Sequence, residues 1–192
     1  MFVPVIEDSR TRGFGLWPLS APAAWLPLGG GMTSDQVGTA LYWVLSGCAD
    51  LEPPADAAAA VERIIAADEV VVSGGLALHG PEVVVEPGCC CGLEDWREWT
   101  DVVRGEQVWL GHGPSPWVEF LDGVVRVWVD DDRACGHVDV EQVALPDLLA
   151  SVQRDLLVFL DRAGAWAERY MPGRGGELVL ALDRVLRVSA PL

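Results

Sequence analysis

One long amphipathic stretch near the end of the chain restricts the fold more than any other feature. From Pro146 to about Tyr170, the apolar residues Leu149, Val152, Leu156, Phe159, Leu160, Ala163, Trp166 and Tyr170 recur at helical spacing. That period puts them on one stripe of an α-helix, and Pro172-Gly173 stops it. So wide a stripe has to be buried against another layer of secondary structure. The middle of the chain supplies short Val-rich segments that read as strands. The sequence therefore predicts a single α+β domain over residues 1–192, with a mostly antiparallel sheet from the central region packed against N-terminal helices and the long C-terminal helix. A chain of 192 residues is long enough to bury a substantial core.

Local signals place the remaining elements. Residues 3–6 read as a first strand, and the Gly- and Pro-rich residues 13–31 as an irregular loop. Thr33 with Gln36 forms a capping box for a helix ending at Gly47. A second helix runs from about Asp56 to Ala67. Residues 69–72, 76–79 and 82–86 read as strands. A helix from near Leu93 to Gly105 carries Trp96, Trp99 and Val103 inward. Strands follow at 107–110, 117–121 and 124–129, the last two joined by an Asp122-Gly123 hairpin turn. His137 to Val140 adds another strand. Residues 177–188 fit a helix or a strand.

Charge is distributed very unevenly. Residues 50–141 hold 20 Asp and Glu against 5 Arg, a net of −15 in a chain whose total is −16. Residues 146–192 balance six acids with six Arg. A field of that sign repels nucleic acid, anionic lipid and phosphorylated substrates, and it attracts basic surfaces. Nothing approaches the roughly 20 apolar residues of a membrane span, and the N-terminal residues lack the pattern of a secretory signal. Five Cys, three of them consecutive, read as reduced thiols. These features point to a cytoplasmic protein.

The densest chemistry lies in Pro87–Arg97. Cys89, Cys90 and Cys91 precede a helix start, where unpaired N–H groups favour a thiolate. Five residues separate Cys91 from Arg97, the spacing of the loop in cysteine-dependent phosphatases. Glu94 and Asp95 lie inside that spacing, however, and oppose a phosphate. Small thiols packed under a turn account for the same residues. Zinc is the other chemistry open to the triplet. Cys89 and Cys91 can point the same way on an extended backbone, and His79, His112, Cys135 and His137 are candidates to complete a ligand set, although the spacing is poor for a zinc site. Asp130, Asp132 and Glu141 fall at EF-hand positions 1, 3 and 12, but position 5 is Ala134 and Gly136 comes one residue late. His112, Ser115 and Glu119 are the residue types of a hydrolase triad, without a nucleophile elbow. Gly29-Gly30-Gly31 lacks the Lys of a phosphate loop.

No assembled catalytic motif emerges. The sequence favours an acidic, non-enzymatic binding protein, of the immunity or inhibitor type that covers a basic partner. Glu94, Asp95, Glu119, Asp130, Asp131 and Asp132 are the expected contacts, with Trp109 and Trp117 as apolar anchors. The alternatives are a cysteine-dependent enzyme and a zinc-stabilised module, both built on Cys89–Cys91. No cofactor is expected on the favoured reading.

Overall fold

Side-chain caps and one tight turn fix several element boundaries where the sequence places them. The computed structural model describes residues 1–8, 13–49 and 52–192, so Asp50 of the acidic span lies outside the described residues. Thr33 Oγ1 accepts from the Gln36 N–H at 3.3 Å, and Gln36 Oε1 accepts from the Thr33 N–H at 2.8 Å. This reciprocal pair starts α1 (Ser34–Ser46), which Gly47 ends. Asp56 caps α2 (Ala57–Ala66) by accepting from the Ala59 N–H at 2.8 Å. Gly123, at φ 72°, turns β5 (Trp117–Leu121) into β6 (Val124–Trp128). A positive φ at that position is what a two-residue hairpin loop requires.

The strands form two antiparallel sheets. In the first, the order is β2 (Trp25–Pro27), β1 (Phe2–Glu7), β3 (Gly74–His79), β4 (Val84–Val85). The second is β5-β6 followed by β7 (His137–Glu141). The sheets meet where β4 touches β7, and Gly80 packs close to Val138. The long helix α4 (Leu145–Ala167) lies against β1, α1 and α5 (Gly175–Leu186), and α5 packs in turn on α2. No helix among the described residues is long and apolar enough to cross a membrane.

The stripe on α4 is buried as its spacing demands. Leu149, Val152, Leu156, Phe159, Leu160 and Ala163 are each at most 3% exposed. Residues 175–186 resolve as a helix, with Leu178, Ala181, Leu182 and Leu186 inward. The fold class stands as expected, but the strand on which α4 rests is the N-terminal β1 rather than one from the middle of the chain.

Three local expectations change. Residues 69–72 and 107–110 form no strand. Their backbone groups are satisfied singly instead: Val70 bridges Cys48, the Val72 N–H donates to Glu94, and Leu110 O accepts from Gly88. Residues 25–27, within the expected loop, pair with β1. The helix expected from Leu93 begins as a 3-10 turn, Leu93–Glu98, and becomes α3 (Trp99–Val103). Three residues per turn align Leu93, Trp96 and Trp99, which are 0%, 1% and 4% exposed. The inward Val is accordingly Val102, not Val103.

Because α4 carries the central packing, Leu156→Ala is expected to cost about 2–5 kcal/mol. Leu157→Ala, at a side chain 40% exposed, should cost far less. Urea unfolding of both variants measures the contrast.

Candidate functional site

The acidic middle of the chain divides into two surfaces with different electrostatics. On the outer face of β5-β6-β7, opposed residues form rows across the strands, of which the last is Leu121, Val124 and Glu141. Trp117, Trp128 and His137 make the first, and Glu119, Arg126 and Asp139 the second. Trp117 and Trp128 stack with ring centroids 5.8 Å apart, and the Arg133 guanidinium sits over both rings at 5.2 and 4.8 Å. Glu119 accepts from Trp128 Nε1 at 3.0 Å and pairs with Arg133 at 3.4 Å. Arg126 grips Asp139 with two bonds of 2.7 and 2.8 Å, which hold the Asp139 carboxyl below its ordinary range. Glu119 and Asp139 are thus paired within this face.

Two acids of the neighbouring turn also bond to its own backbone, while the Asp131 side chain stays exposed. Asp130 Oδ1 accepts from the Ser115 and Asp131 N–H groups at 3.0 and 2.8 Å. Asp132 Oδ1 accepts from the Ala134 N–H at 3.0 Å. These carboxylates shape the 130–136 turn and do not converge into a cation site with Glu141. Nor do His112, Ser115 and Glu119 assemble, since no hydrogen bond joins them among the described residues. The Gly29–Gly31 segment packs against Asp155 and Val158 of α4.

The second surface keeps its charge. It is built on the 3-10 turn and α3, where Glu94, Asp95, Glu98 and Asp101 cluster. Arg104 pairs with Asp101. Arg97, the one cation within the 3-10 turn, faces away from these acids. Its guanidinium donates to the carbonyls of Arg187 at 2.6 Å, Pro191 at 2.9 Å and Val188 at 3.2 Å, and to that of Ala190. Trp96 Nε1 donates to Leu186 O at 2.8 Å, and Gln153 holds the same C-terminal segment. Asp95 and Glu98 remain exposed and make no ion pair among the described residues. Glu94 is half-buried and spends one oxygen on the Val72 N–H at 3.0 Å. Burial raises its carboxyl despite that bond, and Glu98 is raised by burial and then by Asp95 and Asp101.

A cleft opens beside this cluster. Cys91, Asp95, Trp96, Trp99, Glu86 and Trp109 are among its walls. Its volume is about 30 Å³, room for about one or two waters and far below the roughly 300 Å³ at which small-molecule pockets begin. Trp109 stands at its rim, 57% exposed. The two Trp expected as a pair thus separate: Trp117 is half-buried in β5, whereas Trp109 faces solvent. Cys91 donates from Sγ to Trp109 O at 3.9 Å. Burial, and then the charges of Asp95 and Glu98, push its thiol up to about 11. A thiol in that state is the opposite of an activated nucleophile.

The other two thiols of the triplet point elsewhere. Cys89 exchanges backbone hydrogen bonds with His112, of 2.7 and 3.2 Å. Cys89, Cys90 and His112 bring one side-chain ligand atom each within 4.8 Å of one another. Cys90 therefore takes the place that alternation gave to Cys91; Cys135 and His137 do not join this group, and His79 lies on β3. Sequence periodicity had no means of finding Cys90, because the backbone reverses there at φ 70°.

Two outcomes follow. A carboxyl raised in the folded state makes stability fall as pH climbs from its ordinary value of 4.5 through the folded value. Glu94→Gln keeps an acceptor for Val72 and removes that loss, so the decline of Tm above pH 4.5 should flatten. Limiting iodoacetamide at pH 8, read by peptide mass spectrometry, should label Cys91 more slowly than exposed Cys135. None of the family models, curated proteins or solved structures compared with the chain matches it.

Proposed function

We propose that this is an acidic, non-enzymatic binding protein whose negative surface receives a basic protein, as an immunity or inhibitor protein covers a cationic partner. The observation that carries this reading is Trp109: it is 57% exposed at the rim of a cleft that also presents Glu86 and Asp95. An exposed Trp beside two carboxylates that form no ion pair among the described residues suits Arg- and Lys-rich surfaces. The ring offers apolar area and a face for a cation, while the acids steer the encounter.

The contacts named from sequence are weighted differently on this reading. Trp109, Asp95 and Asp131 keep their roles, and Glu86 and Glu98 join them. Glu94, Glu119, Asp130 and Asp132 serve the fold first, and Trp117 supports the sheet. The 30 Å³ cleft and the raised Cys91 thiol weigh against a cysteine-dependent enzyme. The same charge disfavours nucleic acid and anionic membranes, and the five thiols suit the cytoplasm.

The test is to recover partners from the native host and measure Kd at low and high salt. The expected partner is basic, and binding weakens as salt rises. Trp109→Ala is expected to lower affinity by about 2 kcal/mol or more, roughly 30-fold. Asp95→Asn with Glu98→Gln should slow association at low salt, with the difference fading at high salt. An acidic partner, or a salt-independent Kd, overturns the charge mechanism.

A further inference from the structure

We propose that Cys89, Cys90 and His112 form a solvent-open zinc site, a Cys2His set completed by water. The proposal rests on residues other than those of the binding surface, and His112 neighbours its Trp109, ring centroids 6.5 Å apart. It rests on three features that concern the side chains and the backbone separately.

The first is the ligand set. Two thiol sulfurs and an imidazole nitrogen lie within 4.8 Å of one another, with Cys89 Sγ 3.1 Å from Cys90 Sγ. Soft sulfur donors and imidazole together suit Zn²⁺, and three protein ligands with an open fourth position are a recognised zinc geometry. With Zn–S bonds of about 2.3 Å and Zn–N bonds of about 2.0 Å, small side-chain rotations bring all three atoms onto one ion. All three residues are exposed, so the ion needs no opening of the fold to enter.

The second is the way two distant segments are locked together. The reciprocal bonds between Cys89 and His112 are flanked by Gly88 and Gly111, which touch backbone to backbone. A Cβ on Gly88 would lie 2.4 Å from Pro114 O, and one on Gly111 would lie 2.5 Å from the Gly88 carbonyl carbon. Neither neighbour is a flexible side chain that can move aside. The segments are thus held in register before any ion arrives, which lowers the ordering cost of binding.

The third is Cys90 itself. Its φ of 70° is unusual for a residue with a Cβ. Consecutive residues on an extended strand point to opposite sides, and this reversal is what turns the Cys90 thiol to the side of Cys89. An outlier of that kind at a ligand position fits a functional constraint. On binding, each coordinated thiol loses its proton to solvent and the imidazole binds neutral, so zinc uptake releases protons and strengthens with pH.

The experiment uses the full chain, reduced, with Zn²⁺ and Co²⁺ as probes. Competition against a chromophoric chelator is expected to give one Zn²⁺ per chain. Co²⁺ should produce thiolate charge-transfer absorption and the visible bands of a four-coordinate ion. Cys89→Ser, Cys90→Ser and His112→Ala should each weaken Zn²⁺ by at least about tenfold, whereas Cys91→Ser and Cys135→Ser leave it unchanged. Zinc should also protect Cys89 and Cys90 of the unaltered chain from alkylation, an arm that needs no variant to fold. Three results overturn the site: no stoichiometric binding, equal weakening by the Cys91 or Cys135 variants, or a Cys89–Cys90 disulfide forming in air at the same rate with and without Zn²⁺.

Discussion

Burial of one face of α4 is the constraint on which the rest of the molecule depends. Its Leu, Val and Phe stripe is shared among β1, α1 and α5, so a single helix joins the N-terminal strand, the first helix and the C-terminal helix into one core. Each fully buried Leu or Phe contributes on the order of 1.5–3 kcal/mol. With that layer fixed, the acidic middle of the chain can spend its residues on turns, a small second sheet and an open surface. The charge-balanced C-terminal region forms the support, and the charged region is what it displays.

The contrast between the two acidic surfaces comes from where the arginines go. Arg126 and Arg133 lie on or beside the β5-β6-β7 face and pair with its Asp139 and Glu119. Arg97 belongs by sequence to the acidic turn, but carbonyls of the C-terminal segment hold its guanidinium. Net charge over a span says nothing of this division. One stretch ends with Glu119 and Asp139 of its sheet paired, the other as an anionic ridge, because backbone acceptors compete with carboxylates for the same few cations.

Much of the architecture was legible because it rests on local rules. Thr33 and Gln36 announce a cap, Asp122-Gly123 a turn, and the α4 residues a period. What escaped depends on contacts distant in sequence. Val72 looks like strand but gives its N–H to Glu94, and Leu110 looks like strand but gives its carbonyl to Gly88. The residues of the candidate sites were mostly named from sequence, yet their roles were not readable. Nothing local separates Trp109 from Trp117, or Cys90 from Cys91. The first pair is divided by a stacking partner eleven residues beyond Trp117, and the second by a backbone reversal that only a pleated neighbour makes meaningful.

The grip of Arg97 on residues 187–191 has a consequence for the shape of the electrostatic field. Those few residues carry no acidic side chain of their own, yet they govern the ridge by occupying the guanidinium that its own turn supplies. Displacing them would release a guanidinium one to three positions along the chain from Glu98, Asp95 and Glu94. The ridge would then become partly zwitterionic with no acidic residue altered. The far end of the polypeptide thereby sets how strongly the middle presents itself to a cation.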